Sequence, residues 1–251
     1  MLPFDRYGLS LILDRHKNIL RAYDNYEFHK VYYALHNMCV VDLSSFYLDV
    51  IKERLYVSHP KSIERLSAQT VLYYLLKILI LDMAPILSFT AEEIYQKLPD
   101  SFDVDAKTVF ELKFDDLDFK IDATERELWD IVKKIKGEVT KAIEPKRKQG
   151  VVGHSLDCDI TLHLSDDLFN LISPIKKYLR EVFIVSSVEI KRASANTDEL
   201  FKSEDVDGLY IGVEKSNGIK CPRCWVYFTP GSEEEENKGV CPRCIEVLKR
   251  L

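Results

Sequence analysis

The tetrapeptide Cys-Pro-Arg-Cys occurs twice in this chain, at Cys221 to Cys224 and Cys241 to Cys244, with sixteen residues between the two copies. Two cysteines with a two-residue gap form a tight knuckle, and a pair of knuckles supplies the four soft thiolate donors that a tetrahedral zinc prefers. If Cys221, Cys224, Cys241 and Cys244 all bind one ion, no position is left for water or substrate. The spacing therefore predicts one structural zinc per chain, a metal that holds a fold and does no catalysis. So short a segment has too little core to fold alone, and metal binding supplies on the order of 10 kcal/mol. The six cysteines would also permit three disulfides, a reading that a reducing compartment disfavours. Cys39 and Cys158 sit among apolar residues and read as inert core thiols.

The remainder predicts a mainly α protein. Apolar positions in the first hundred residues recur at three and four: Leu43, Phe46, Tyr47, Val50, Ile51 and Leu55 form one stripe, and Leu72, Leu75, Leu76 and Leu79 another. Thr90-Ala-Glu-Glu93 has the form of a capping box, opening a short helix to about Leu98 between Pro85 and Pro99. Acidic residues 100–118 show no sustained period and read as a surface connection. Thr124-Glu-Arg-Glu127 is a second capping box. The helix it opens gathers Leu128, Ile131, Val132, Ile135, Val139, Ala142 and Ile143 on one side and Lys133, Lys134 and Lys141 opposite, with Pro145 expected to end it.

From residue 155 to 164 the period changes to two, as Leu156, Cys158, Ile160, Leu162 and Leu164 alternate with polar neighbours. Residues 166–180 return to a helical pattern, and 182–190 are rich in β-branched side chains. With 209–213 they predict a small mixed domain. The expected architecture is a helical bundle followed by a small α/β domain and a four-cysteine zinc ribbon. Its expected divisions are a bundle with its acidic connection over 1–118, a long helix and basic turn over 119–150, an α/β junction domain over 151–214 and the zinc domain over 215–251.

A net charge of −6 excludes an indiscriminate polyanion binder. Residues 133–148, however, carry seven basic side chains against Glu138 and Glu144, so any contact with RNA has to be local. The turn Glu144-Pro-Lys-Arg-Lys-Gln-Gly150 suits phosphate contact, and equally suits a solvated loop. Two readings of the knuckles also stand side by side. Trp225, beside Arg223 and Arg243, can stack on unpaired bases, at roughly 1 to 3 kcal/mol each. Alternatively Trp225 covers the metal and the arginines offset thiolate charge. The candidate RNA contacts are Arg54, Lys133, Lys134, Lys141, Lys146, Arg147, Lys148, Arg223, Trp225 and Arg243. The six histidines form no ligand-spaced cluster, and no nucleophile motif or phosphate-cradling glycine loop is present. The apolar run at 71–81 is interrupted by Lys77 and falls short of the roughly 20 residues of a membrane span. The amino-terminal residues lack the features of a secretory signal, so no membrane association and a cytoplasmic location are expected.

Several stretches together resemble isoleucyl-tRNA synthetases of bacterial type, a class I family. They are Ala22-Tyr-Asp-Asn-Tyr-Glu-Phe-His-Lys-Val-Tyr32, Val41-Asp-Leu-Ser-Ser-Phe-Tyr-Leu-Asp49 with Lys52-Glu-Arg-Leu-Tyr56, Ser67-Ala-Gln-Thr-Val-Leu72, and Ala84-Pro-Ile-Leu-Ser-Phe-Thr-Ala-Glu-Glu93. Val182-Phe-Ile-Val-Ser-Ser-Val-Glu-Ile190 and the Cys-x-x-Cys-Trp ribbon extend the resemblance to nearly the whole chain. The resemblance implies a ligase that joins isoleucine to tRNA(Ile) with ATP and Mg. Its His-Ile-Gly-His and Lys-Met-Ser-Lys-Ser signatures, like its editing domain, are missing here. The expectation is a carboxy-terminal, anticodon-binding fragment, inactive alone and monomeric, with tRNA(Ile) and the parent's catalytic domain as partners. The lysine-rich turn at Pro145 departs from the family's pattern. The rival expectation is a zinc-ribbon protein-interaction module with no direct RNA contact.

Overall fold

The computed structural model describes residues 1–99, 102, 106–114, 119–194 and 199–251. The chain divides into two compact units, one of residues 1–49 with 63–122, the other of 50–62 with 123–251.

The first unit is helical. Its elements are α1 (Pro3–Asp24), α2 (Phe28–Asn37), a π-helical stretch Met38–Tyr47, the start of α3 (Leu48–Val57), α4 (Ile63–Met83) and α5 (Ser88–Tyr95). Phe4, Tyr7, Phe46 and Tyr47 make its aromatic centre, with the Phe4 and Tyr47 rings stacked at 5.6 Å. A Cβ on Gly8 would meet the Tyr47 ring at 2.5 Å, so only glycine lets α1 approach that closely. Buried Asp5 accepts hydrogen bonds from the Tyr47 hydroxyl at 2.9 Å and the Ser67 hydroxyl at 2.6 Å, which meets the rule that buried polar groups need partners.

The stripe expected on the π-helical stretch and α3 is the buried one, except that Leu55 is half exposed. On α4 the buried face is instead Ala68, Val71, Leu75 and Ile78, and Leu72, Leu76 and Leu79 are half exposed. A helix apolar almost all round does not announce its inner face by periodicity. By length and composition α4 could cross a membrane; in this fold it packs on α1.

Helix α5 begins at Ser88, so Thr90 lies inside it and caps nothing. Glu92 instead ties the helix to the segment beyond it, accepting from the Thr108 hydroxyl at 2.7 Å and the Val109 N–H at 2.8 Å. Those hydrogen bonds, the Thr108 one foremost, lower the Glu92 pKa. Val109 is buried against Ile80, Ala84, Ala91 and Tyr95, so this part of the acidic segment joins the core and is no mere surface connection. Residues 100, 101, 103–105 and 115–118 of that segment lie outside the described residues.

The second unit is mixed. Helix α6 runs from Ala123 to Lys148, straight through Pro145. A proline this near the end deletes a single helical hydrogen bond, and the chain closes off one turn later with the Val151 N–H on the Lys146 carbonyl at 3.0 Å. The helix starts one residue before Thr124, which places Thr124 inside its first turn. Its buried face is Trp129, Val132, Ile135, Glu138, Val139, Ala142 and Ile143. Burial opposes ionisation of Glu138, but hydrogen bonds from Lys141, Ser203 and the Glu204 N–H win and carry its pKa down to about 2.

Strand β1 (Cys158–Leu164) alternates buried and half-buried residues as its sequence demands. Helices α7 (Asp166–Ile172) and α8 (Lys176–Phe183) cross over to β2 (Ser187–Arg192), which pairs parallel to β1. Strands β3 (Phe201–Lys202) and β4 (Leu209–Lys215) complete an antiparallel side, in the order β2-β1-β4-β3. The strand expected from Val182 starts later because Val182 and Phe183 finish α8, which ends on Ile184 at φ 57°. Helix α6 packs on β4 and α8.

Candidate metal centre and nucleic-acid surface

The ribbon starts as a two-stranded hairpin of β5 (Ile219–Lys220) and β6 (Tyr227–Phe228). Gly218 makes the close pairing possible: at φ 101°, a Cβ there would lie 2.4 Å from the Phe228 carbonyl oxygen. The first knuckle sits at the hairpin tip, where the Cys221 N–H binds the Val226 carbonyl at 3.0 Å and the Trp225 N–H binds the Cys221 carbonyl at 2.8 Å. Closing this turn puts Trp225 at φ 65°, in the left-handed region. The acidic run of the spacer forms α9 (Glu233–Lys238), capped by Ser232, with its glutamates at the positive end of the helix dipole. The second knuckle is the first turn of α10 (Pro242–Lys249): Cys241 takes the N-cap position, Pro242 the first helical one, and Cys244 follows within the turn.

All four Sγ atoms lie within 4.8 Å of one another and all four cysteines are buried. Cys224 and Cys241 are 3.6 Å apart at sulfur. A tetrahedron with Zn–S bonds of about 2.3 Å has edges of about 3.8 Å, so the donor set and its spacing fit a zinc ion. Electrostatics agree. Contacts with Cys224 and Cys241, helped by Arg223, lower the Cys244 thiol pKa, while the same kind of contact from Cys224 and Cys244 raises that of Cys241. Four thiolates so close can ionise together only around a cation.

The cysteines share their core with Val226 and, from α3, Val57. Arg223 donates to the Val57 carbonyl at 2.6 Å and lies 3.7 Å from Cys244 Sγ. Its guanidinium faces the thiolates. Trp225, by contrast, is 60% exposed. Arg243 donates to Glu53, which also takes Arg180 at 3.2 Å.

Arg54, expected on an RNA-facing surface, is 3% exposed and forms a two-pronged pair with Glu181. Its charge balances a carboxylate inside the fold. Lys141 is tied to Glu138 and Asp205, both at 2.6 Å, and these contacts raise its pKa. Lys134, Lys146, Arg147 and Lys148 are exposed and Lys133 half exposed, with Arg147 lying 3.2 Å from Glu144. Burial lifts the thiol pKa of both Cys39 and Cys158, the latter to about 11. Sequence reasoning missed Glu53, Val57 and Glu181. The Arg54 and Glu181 partners stand 127 residues apart, and no local pattern marks such a pair.

Residues 5–162 match the family described as the anticodon-binding domain of tRNA ligase, and the chain belongs to that family. Residues 218–247, which hold the four cysteines, match a second family, the zinc finger found in FPG and IleRS. Across nearly its full length the chain is similar to isoleucine–tRNA ligases. It is 47% identical over 250 residues to that of Nitratidesulfovibrio vulgaris (strain Miyazaki F), 42% over 253 to that of Lawsonia intracellularis and 37% over 249 to that of Haemophilus influenzae (strain PittEE). These alignments take in 99%, 100% and 98% of this chain, which spans about a quarter of each relative, 27%, 27% and 26% of their lengths.

Proposed function

We propose that this chain recognises tRNA(Ile) for an isoleucine–tRNA ligase and contains one structural zinc. The observation carrying the proposal is a closed four-sulfur cluster within the synthetase-type zinc finger, on the same chain as the anticodon-binding match. Cys221, Cys224, Cys241 and Cys244 hold the metal, which supplies a rigid knuckle and no reaction chemistry. Lys133, Lys134, Lys146, Arg147 and Lys148 supply cationic contacts to phosphate, Arg243 stands at the ribbon, and Trp225 supplies a stacking face. Ligation of isoleucine with ATP and Mg belongs, on this reading, to regions of the relatives that these residues do not align with. A monomer in the cytoplasm, where thiols stay reduced, suits such a metal site.

Binding of the zinc-loaded chain to tRNA(Ile) and to an unrelated tRNA, measured across salt concentrations, tests this directly. Tighter binding of tRNA(Ile) and a falling log K with log salt are expected, and Lys146→Ala should flatten the slope by about one unit while weakening both RNAs alike. Indifference to tRNA identity and to salt would move the chain to the protein-interaction reading. In a separate assay, ATP–pyrophosphate exchange by these 251 residues should stay at background with isoleucine present. Exchange above background would overturn the assignment of the chemistry elsewhere.

A further inference from the structure

The duplicated Cys-Pro-Arg-Cys sequence puts an arginine at the third position of each knuckle, and the fold crosses the two over. Arg223 of the first knuckle lies 3.7 Å from the sulfur of Cys244, the last cysteine of the second. Arg243 of the second knuckle reaches the sulfur of Cys224, the last cysteine of the first. Each guanidinium therefore bears on a metal ligand of the knuckle to which it does not belong.

Both are seated from the same helix. Arg223 also donates to the Val57 carbonyl at 2.6 Å, an acceptor of the last turn of α3 that has no partner within the helix. Arg243 also donates to the Glu53 carboxylate, which Arg180 approaches at 3.2 Å. Glu53 and Val57 stand four residues apart, about one helical turn, so one end of α3 supplies both acceptors. Charge gives the arrangement its consequence. A zinc dication among four thiolates leaves two negative charges in a buried cluster, and buried charge is costly unless paired. The two guanidiniums supply the matching positive charge, and a hydrogen bond to a sulfur favours its thiolate form, the one that binds metal. Arg223 is half buried and Arg243 more open, which makes Arg223 the stronger partner.

We propose that Arg223 and Arg243 form the outer shell of the metal site, crossed between the knuckles and aligned by α3, and that they set how firmly zinc is retained. Glu53, 190 residues before Arg243, is then a positioning residue that acts through that arginine. The inference rests on the reading of one structural zinc and deepens it by naming what holds the ion beyond the four cysteines.

The test uses the full zinc-loaded chain and measures transfer of zinc to an excess of chromogenic chelator. Outer-shell replacements commonly cost about 10- to 100-fold in metal affinity. Arg223→Met, which keeps most of the side chain's length without its charge, should weaken zinc by about that factor, and Arg243→Met by less. Arg223→Lys should recover part of the loss. Glu53→Gln should speed release, and should add little when combined with Arg243→Met, because both remove the same contact. Cobalt loaded in place of zinc gives a signature that packing alone would not move. Loss of a hydrogen bond to sulfur should shift its sulfur-to-metal charge-transfer band to longer wavelength in both methionine variants. Release at the parent's rate from both, or faster release with an unmoved cobalt band, would overturn the outer shell. Full additivity of Glu53→Gln and Arg243→Met would overturn the positioning role of Glu53. A parent that holds no zinc defeats the structural-zinc reading itself, and the outer shell with it.

Discussion

Cys224→Ser should strip the chain of its zinc and unfold the ribbon. The four sulfurs converge within 4.8 Å of one another, and structural zinc contributes on the order of 10 kcal/mol, comparable with the entire net stability of an ordinary domain. The hairpin of β5 and β6 has two residues per strand and no other core to fall back on. Because Val57 shares that core, the disorder should spread to the last turn of α3. The first unit has its own aromatic centre and should stay folded. Elemental analysis together with amide exchange will check this: fast exchange over 219–228 and 241–249, and retained protection in α1 and α4. Zinc at the parent's level in the variant, or ribbon protection unchanged after chelation, would refute it.

Arg54→Ala should be the most damaging replacement away from the metal, at about 3 kcal/mol, because it empties a buried guanidinium site and leaves the half-buried Glu181 without its main counter-charge. Burial already holds the Glu181 carboxyl above its ordinary range, with Arg54 the chief influence opposing it. Removing the guanidinium raises that pKa further. A carboxyl whose folded pKa exceeds its unfolded one binds its proton more tightly in the folded state, so stability falls as pH rises through the folded value. The deficit should thus be largest at neutral pH and shrink toward acid. Urea denaturation of the zinc-loaded protein at several pH values measures it, and Arg54→Ala combined with Glu181→Leu should recover much of the loss. A variant as stable as the parent at neutral pH would show that the pair is not needed. Any loss of RNA affinity in Arg54 variants should then follow unfolding.

The places where local sequence signals failed share one cause. Both capping-box patterns sit inside helices that begin earlier, because burying Ala91 and Trp129 fixes where α5 and α6 start more firmly than one hydroxyl can. The helix-breaking tendency of Pro145 does not stop α6, since a single lost hydrogen bond near the terminus is tolerated when Val139, Ala142 and Ile143 are buried just before it. Where only one side-chain pattern was possible, as in the strict alternation of β1, the reading from sequence held for Cys158, Ile160, Leu162 and Leu164, while Leu156 falls in the turn before the strand and is half-buried.

By itself the sequence determined the metal site, the mainly helical class, the mixed domain and the family resemblance. Each is encoded in short-range spacing: a two-residue gap between thiolates, a period of three to four, a period of two. Only the tertiary structure decided that Arg54 lies inside against Glu181, that Glu53 and Val57 join α3 to the ribbon, and that Trp225 stands largely exposed. Such choices depend on which distant charges and apolar faces meet when the chain closes. Burial and pairing are properties of the packed fold, and residues more than a hundred positions apart carry no mark of one another in the linear chain.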